Sequence, residues 1–188
     1  MEVMTAPLPE TANGTLSLQA KEPILDLLKD KSALAIGPGI TTDPETVALI
    51  GEILPLIQCP LVLDADALNA ISSHKGWLEK LKPETVLTPH PKEMSRLTGV
   101  STQEIQRNRV ATATQFATEH SLTLVLKGSP TLIALADGSV TINPTGNAGM
   151  ATGGSGDVLT GIIAGLMAQG LAPCSASIAG SYIHGQAG

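Results

Sequence analysis

Residues 61–87, LVLDADALNAISSHKGWLEKLKPETVL, hold two short apolar runs with a helical pattern between them. Leu61–Leu63 and Thr85–Leu87 have the length and composition of buried strands. Between them, Leu68 and Ile71 have the spacing of residues on one face of a helix. Parallel neighbouring strands need a long crossover connection, which is usually a helix. Two strands joined through a helix are therefore expected to run in the same direction. This stretch therefore predicts a parallel β-sheet.

Similar apolar runs recur along the chain, at 33–36, 122–126, 131–135 and 140–142. The last two flank Asp137-Gly138, a pair that favours a hairpin turn. Strands that are apolar throughout are typical of a sheet covered by helices on both faces. We predict a single α/β domain over residues 1–188, with three layers and a mostly parallel sheet.

Caps and apolar spacing predict five further helices. They cover Glu22 to Lys29, the segment after Asp43-Pro44, about 101–119, about 155–169, and the end of the chain from near Pro173. The third of these is expected to begin with a capping box formed by Ser101 and Glu104.

The composition argues against several classes of partner. The net charge is −6, and no basic run is present. Such a surface suits DNA, RNA and anionic membranes poorly, and a chain with 2% aromatic residues cannot build a base-stacking platform. No apolar run reaches the roughly 18 residues of a membrane span. Cys59 and Cys174 are isolated, which predicts free thiols and a reducing cytoplasm.

The strongest functional pattern is the glycine-rich stretch NPTGNAGMATGGSGD at 143–157. Gly153, Gly154 and Gly156 lie where an apolar helix begins, and the free amides at a helix start form an anion site. Asp157 falls in the first turn, where it can act as a base beside a bound phosphate. The alternative is a tight loop in which Asp157 is only a favourable helix-start charge.

Three further polar clusters follow predicted strands, where α/β folds bind ligands. His90 is fixed between two prolines with Glu93 close behind, which favours substrate and metal contacts. Asp64 and Asp66 suit a Mg²⁺ held through water, and Lys127 beside a glycine turn suits a phosphate. The alternatives are a surface histidine, helix capping by Asp66 and a solvated lysine.

Taken in order, these pieces resemble the dehydratase domain of the NAD(P)H-hydrate repair enzymes, which has a ribokinase-like fold. The matching stretches are 36–39, 62–69, 87–94, 126–128, 146–161 and 182–185. The Thr-Pro-His-Pro element at 88–91 distinguishes this family from sugar and vitamin kinases of the same fold.

The resemblance implies that ATP or ADP phosphorylates the C6 hydroxyl of the S epimer of NAD(P)H hydrate, after which phosphate leaves and NAD(P)H is restored. It makes Asp157 the residue that activates the hydroxyl. It assigns the adenine nucleotide to Lys127, Gly128, Ser129, Pro130, Thr131, Gly153, Gly154 and Gly156. It assigns the hydrated nicotinamide nucleotide to Gly37, Gly39, His90 and Asp157. It assigns Mg²⁺ to Glu93 and Asp64.

The chain departs from the family pattern, and two other functions stay open. Relatives are expected to continue beyond both ends of this chain, which would make it a partial domain, and Ile40-Thr41 stands where a further glycine is expected. We expect a cytoplasmic protein and a homo-oligomer, with a tetramer as the candidate. The alternatives are a hydroxyethylthiazole- or pyridoxal-type kinase and a nucleotide-binding fragment without catalysis.

Overall fold

The structure, a computed structural model, describes residues 3–188, and its largest element is a six-stranded β-sheet. The strands lie side by side in chain order: β1 (Leu34–Ile36), β2 (Leu61–Leu63), β3 (Thr85–Leu87), β4 (Thr123–Leu126), β5 (Thr131–Ala134) and β6 (Val140–Asn143). β1 to β4 are parallel, whereas β5 and β6 extend the sheet as an antiparallel hairpin. The predicted mostly parallel sheet is confirmed.

Eight α-helices are present in residues 3–188: α1 (Lys21–Leu28), α2 (Pro44–Ile53), α3 (Ala65–Ser73), α4 (Pro91–Thr98), α5 (Thr102–Arg107), α6 (Arg109–His120), α7 (Ser155–Ala168) and α8 (Pro173–Ala187). Short 3-10 helices add Leu18–Ala20, Leu54–Leu56, Lys75–Lys80 and Ala148–Met150. Among the described residues, no helix combines the length and the hydropathy that a bilayer crossing requires.

The helices form a layer on each face of the sheet, because side chains alternate along every buried strand. Leu61 and Leu63 pack into a large core with α2 to α6, whereas Val62 between them packs with Leu159 and Ile163 of α7. Val86, Val125 and Ile133 share the α7 side with Val62. The predicted three-layer architecture is confirmed, and the strands are apolar throughout because both of their faces are buried.

Two helical predictions need correction. The segment expected to be one helix over about 101–119 is two helices, since Asn108 leaves helical geometry at φ −127° and ψ 40°. Ser101 caps α5 through its hydroxyl as expected, but the reciprocal capping box lies elsewhere, at the start of α4. α4 itself was not predicted.

The parallel strands bring three polar positions to one edge of the sheet. Asp64, Thr88 and Lys127 directly follow the carboxyl ends of β2, β3 and β4. At the end of β1, Gly37 packs against the backbone of Asp64 with φ 144°, where any side chain would collide with the Asp64 carbonyl. The glycine turn after β1 therefore packs closely against the backbone of Asp64, the first polar residue after β2.

Candidate active site

A cavity of about 780 Å³ opens at this edge of the sheet. Its walls are the β2–α3 turn, the start of α4, the β4–β5 loop, the glycine-rich loop with the start of α7, and the end of α8. Most of the predicted site residues line it: Asp64, His90, Glu93, Lys127, Gly128, Ser129, Pro130, Thr131, Gly156 and Asp157. The carboxyl ends of the strands are where ligands bind in folds of this kind.

The start of α7 presents open backbone amides to this cavity. Its N-cap residue is Gly154, with φ 86°, and within residues 3–188 no side chain caps the helix. Gly156 and the exposed Asp157 follow in the first turn and line the cavity. An uncapped helix start combines free N–H donors with the positive end of the helix dipole, so it attracts anions such as phosphate.

Lys127 lies directly beside this helix start. Its Nζ is 2.7 Å from Asp64 Oδ1 and 3.9 Å from Glu93 Oε2. A Cβ added at Gly156 would lie 3.2 Å from the same Nζ. Asp64 is 1% exposed and accepts a second hydrogen bond, from Thr160 Oγ1 of α7 at 2.8 Å. A fixed ammonium group, paired with the carboxylate of Asp64, therefore lies beside the start of α7.

Arg109 of α6 holds the β4–β5 loop from the side. Its guanidinium donates hydrogen bonds to the carbonyl oxygens of Leu126 at 3.2 Å and Pro130 at 2.7 Å, and it packs against Gly128. Burial lowers the pKa of Arg109 from its usual range. The Ser129–Pro130 peptide bond in this loop is cis. Arg109 was not predicted as a site residue, because the residues next to it in the sequence do not indicate that it contacts the β4–β5 loop.

His90 closes the start of α4. Its Nδ1 accepts hydrogen bonds from the backbone amides of Lys92 at 3.0 Å and Glu93 at 3.2 Å. Glu93 Oε2 in turn accepts from the amide of His90 at 2.8 Å, which completes a capping box. Because Nδ1 is an acceptor, the neutral ring carries its proton on Nε2. His90 is thus both the cap of α4 and part of the cavity wall.

His184 of α8 is a cavity residue that the sequence did not single out. Its Nε2 lies 3.3 Å from Ser155 Oγ at the start of α7. α8 reaches this position because Thr145 Oγ1 donates to the carbonyl of Tyr182 at 3.1 Å, and a side chain at Gly185 would collide with Thr145. The only signal in the sequence was that His184 falls within the 182–185 stretch that resembled the family.

Four predicted glycines lie outside the cavity wall. Gly37 and Gly39 form the turn after β1 beyond Asp64, and Gly153 and Gly154 precede the helix turn that lines the cavity. Gly154 supplies the left-handed backbone that starts α7. The expected contacts of these glycines with substrate or nucleotide stay predictions.

The predicted Mg²⁺ ligands Asp64 and Glu93 both line the cavity, but protein donors already engage them. Asp64 binds Lys127 and Thr160 through its two oxygens, and Glu93 binds the His90 amide. Within residues 3–188, no three His, Cys, Asp or Glu side chains converge as a metal site. Asp64 does not fit as a direct ligand while it holds Lys127. Glu93 uses Oε2 for the His90 amide, and its Oε1 lies 3.4 Å from His90 Nε2. A Mg²⁺ carried mainly by nucleotide phosphates, which needs one or two protein carboxylates, would use that second oxygen.

The fold is that of a ribokinase-like α/β protein, and an uncapped helix start lies in the wall of its cavity. A ribokinase-like superfamily protein from Enterococcus faecalis has the same fold, with a TM-score of 0.78 and 30% identity over 90% of this chain and 58% of that one.

The chain belongs to the NAD(P)H-hydrate dehydratase family, whose model matches residues 1–188. The bifunctional NAD(P)H-hydrate repair enzyme Nnr of Moorella thermoacetica is 54% identical over 187 residues, which is 100% of this chain and 35% of that protein. The ADP/ATP-dependent NAD(P)H-hydrate dehydratase of Bacillus subtilis, co-crystallized with ATP and Mg²⁺, is 34% identical with a TM-score of 0.73. That match covers 89% of this chain and 61% of the Bacillus chain. The chain thus spans between about a third and three fifths of these relatives.

Proposed function

We propose that this protein dehydrates the S epimer of NAD(P)H hydrate to NAD(P)H, using ADP or ATP as the phosphoryl donor. One observation carries the proposal: the uncapped start of α7 presents its amides to the cavity next to the Asp157 carboxylate. Membership of the dehydratase family and the Bacillus relative's name support the choice of substrate and nucleotide.

In the proposed complex the adenine nucleotide lies along the β4–β5 loop, residues 127–131. Its terminal phosphoryl group meets the amides of Gly156 and Asp157 and the ammonium of Lys127. Hydrogen-bond donors fixed in this way stabilise the charge that develops on the phosphoryl oxygens during transfer. Gly153 and Gly154 leave the approach free of side chains.

Asp157 accepts the proton of the C6 hydroxyl as that oxygen attacks the terminal phosphorus, and the bond to the rest of the nucleotide breaks. The C6–oxygen bond of the phosphate ester then breaks and phosphate departs with its electron pair. Loss of a proton from C5 forms the ring double bond of NAD(P)H. Asp157 is suited to the first step because it is exposed to the cavity beside the phosphoryl site.

His90 contacts the hydrated nicotinamide in this arrangement through the exposed part of its ring, since Nδ1 caps α4 and Nε2 lies 3.4 Å from Glu93 Oε1. Glu93 is the carboxylate that would help to hold Mg²⁺, which when bound neutralises phosphate charge. Asp64 holds Lys127 instead of a metal. A contact of Gly37 and Gly39 with the substrate requires a ligand that extends past Asp64 along the sheet edge.

The test is to incubate the purified chain with hydrated NADH, Mg²⁺ and either ATP or ADP, and to follow the recovery of NADH absorbance. Asp157→Asn, which keeps the shape of the side chain, should lower the rate by about 10²–10⁴-fold because it removes the base. Full activity of this variant would contradict the mechanism. A stable phosphorylated product would indicate a kinase, and nucleotide binding without turnover would indicate a non-catalytic fragment.

We further propose a cytoplasmic location and a homotetramer. Both cysteines are free, which suits a reducing compartment, and the apolar side chains of Val158, Tyr182 and Ile183 are exposed on α7 and α8. Light scattering that reports the mass of a monomer would contradict the assembly.

A further inference from the structure

Thr160 is a buried polar residue that the proposed mechanism does not use. It lies about one turn after Asp157 on α7 and is 2% exposed. Its Oγ1 donates a hydrogen bond of 2.8 Å to Asp64 Oδ2, although the two residues are far apart in sequence. This hydrogen bond restricts the orientation of the buried Asp64 carboxylate, and therefore the position of any group that Asp64 binds.

Asp64 uses its other oxygen to bind Lys127. The distance from Asp64 Oδ1 to Lys127 Nζ is 2.7 Å, and Asp64 is 1% exposed. The same Nζ lies beside Gly156, at the open start of α7. A closed set of contacts therefore runs from residue 160 of α7, through Asp64 and Lys127, back to residue 156 of the same helix.

We infer that Thr160 is a positioning residue for Lys127 and acts through Asp64, an inference that rests on the proposed phosphoryl site. With both carboxylate oxygens committed, Asp64 has one orientation, and Lys127 Nζ has one position against the helix start. Without the Thr160 hydroxyl, Asp64 Oδ2 loses its donor in a buried place. The carboxylate then turns both oxygens toward Lys127 and draws the ammonium away from the amides of α7.

The discriminating variants are Thr160→Val, which keeps the shape and removes the hydroxyl, and Thr160→Ser, which keeps the hydroxyl. Thr98→Val is a matched control, because Thr98 Oγ1 also forms a helix hydrogen bond, 2.9 Å to the Met94 carbonyl. Thermal unfolding followed by circular dichroism checks that each variant is folded.

Two measurements are made on each folded variant. The first is kcat and KM for NADH recovery, where Thr160→Val should lower kcat about tenfold or more, the loss typical of a charge-assisted hydrogen bond. The hydrate KM should change little, and Thr160→Ser and Thr98→Val should stay within about threefold of the original chain. The second is the ¹⁵N NMR signal of the Lys127 ammonium, which slow exchange makes visible while the group is held. Thr160→Val should shift this signal, because the ammonium moves toward both oxygens of Asp64, and Thr160→Ser should leave the signal at its original position.

The inference is overturned if folded Thr160→Val leaves the Lys127 signal at its original position, or if Thr160→Ser fails as badly as Thr160→Val. The NMR measurement needs no turnover. If the original chain is inactive, the proposed function fails, and the ammonium signal still decides whether Thr160 positions Lys127.

Discussion

Two helices begin at the wall of the same cavity, and their first amides are in opposite states. At α4, His90 accepts from two backbone amides and Glu93 accepts from a third, so the protein's own side chains close the helix start. At α7 the N-cap is Gly154, and within residues 3–188 no side chain closes the start. A helix dipole alone does not make an anion site, because the amides must also be free.

Lys127 shows how the two starts are combined. Its ammonium is 2.7 Å from Asp64 and 3.9 Å from Glu93 of the α4 capping box, and it lies beside Gly156 of α7. The Glu93 carboxylate, which belongs to the cap of α4, thus lies near the Lys127 ammonium. The same ammonium lies beside the open start of α7. A single substitution at either helix start should reduce the difference between the two.

The larger expected effect comes from partly closing α7 with Gly156→Ala. The new methyl group would lie 3.2 Å from Lys127 Nζ and would cover the amide surface that a phosphate approaches. Asp64 holds the ammonium, so Lys127 gives way by only a few tenths of an ångström, and alanine favours helix over glycine. The free energy of unfolding should therefore change little. Nucleotide affinity, measured by calorimetry, should fall about tenfold, or about 1.4 kcal/mol.

The matched control is Gly161→Ala on the same helix, where nothing lies within 4 Å of the added Cβ. It should gain about 0.5–1 kcal/mol of stability and bind nucleotide as the original chain does. Equal affinity in Gly156→Ala would mean that the phosphate does not approach this turn.

The smaller expected effect comes from opening α4 with His90→Ala. Loss of two accepted amide hydrogen bonds should lower the free energy of unfolding by about 1 kcal/mol. His90→Asn should restore most of this stability, because asparagine is a good N-cap. Affinity for hydrated NADH should fall in both variants, and nucleotide affinity should change less. Recovery of hydrate binding in His90→Asn would show that the ring acts only as a cap.

Much of the fold was predictable because the strands are short, apolar and separated by helical patterns. α4 escaped prediction since two prolines and polar residues dominate its start, although Met94 and Leu97 have helical spacing and are buried. The break at Asn108 was equally hidden, because the residues on both sides continue one helical pattern.

The site was predictable as a set of residues, and less so as a set of contacts. Asp64 was expected to hold Mg²⁺, yet it forms an ion pair with Lys127, 63 positions away. Thr160, Arg109 and His184 were missed because their partners lie on other elements, and local sequence does not specify such pairings. Sequence motifs indicate which polar side chains lie at the strand ends, whereas the packing of separate elements determines which of them contact one another.

The most direct test is a structure of this chain with bound ADP and Mg²⁺. We expect the terminal phosphate to accept hydrogen bonds from the amides of Gly156 and Asp157 and from Lys127 Nζ, with the Asp157 carboxylate facing the remaining cavity. A nucleotide bound away from α7, with that helix start closed by the protein's own side chains as at α4, would contradict it.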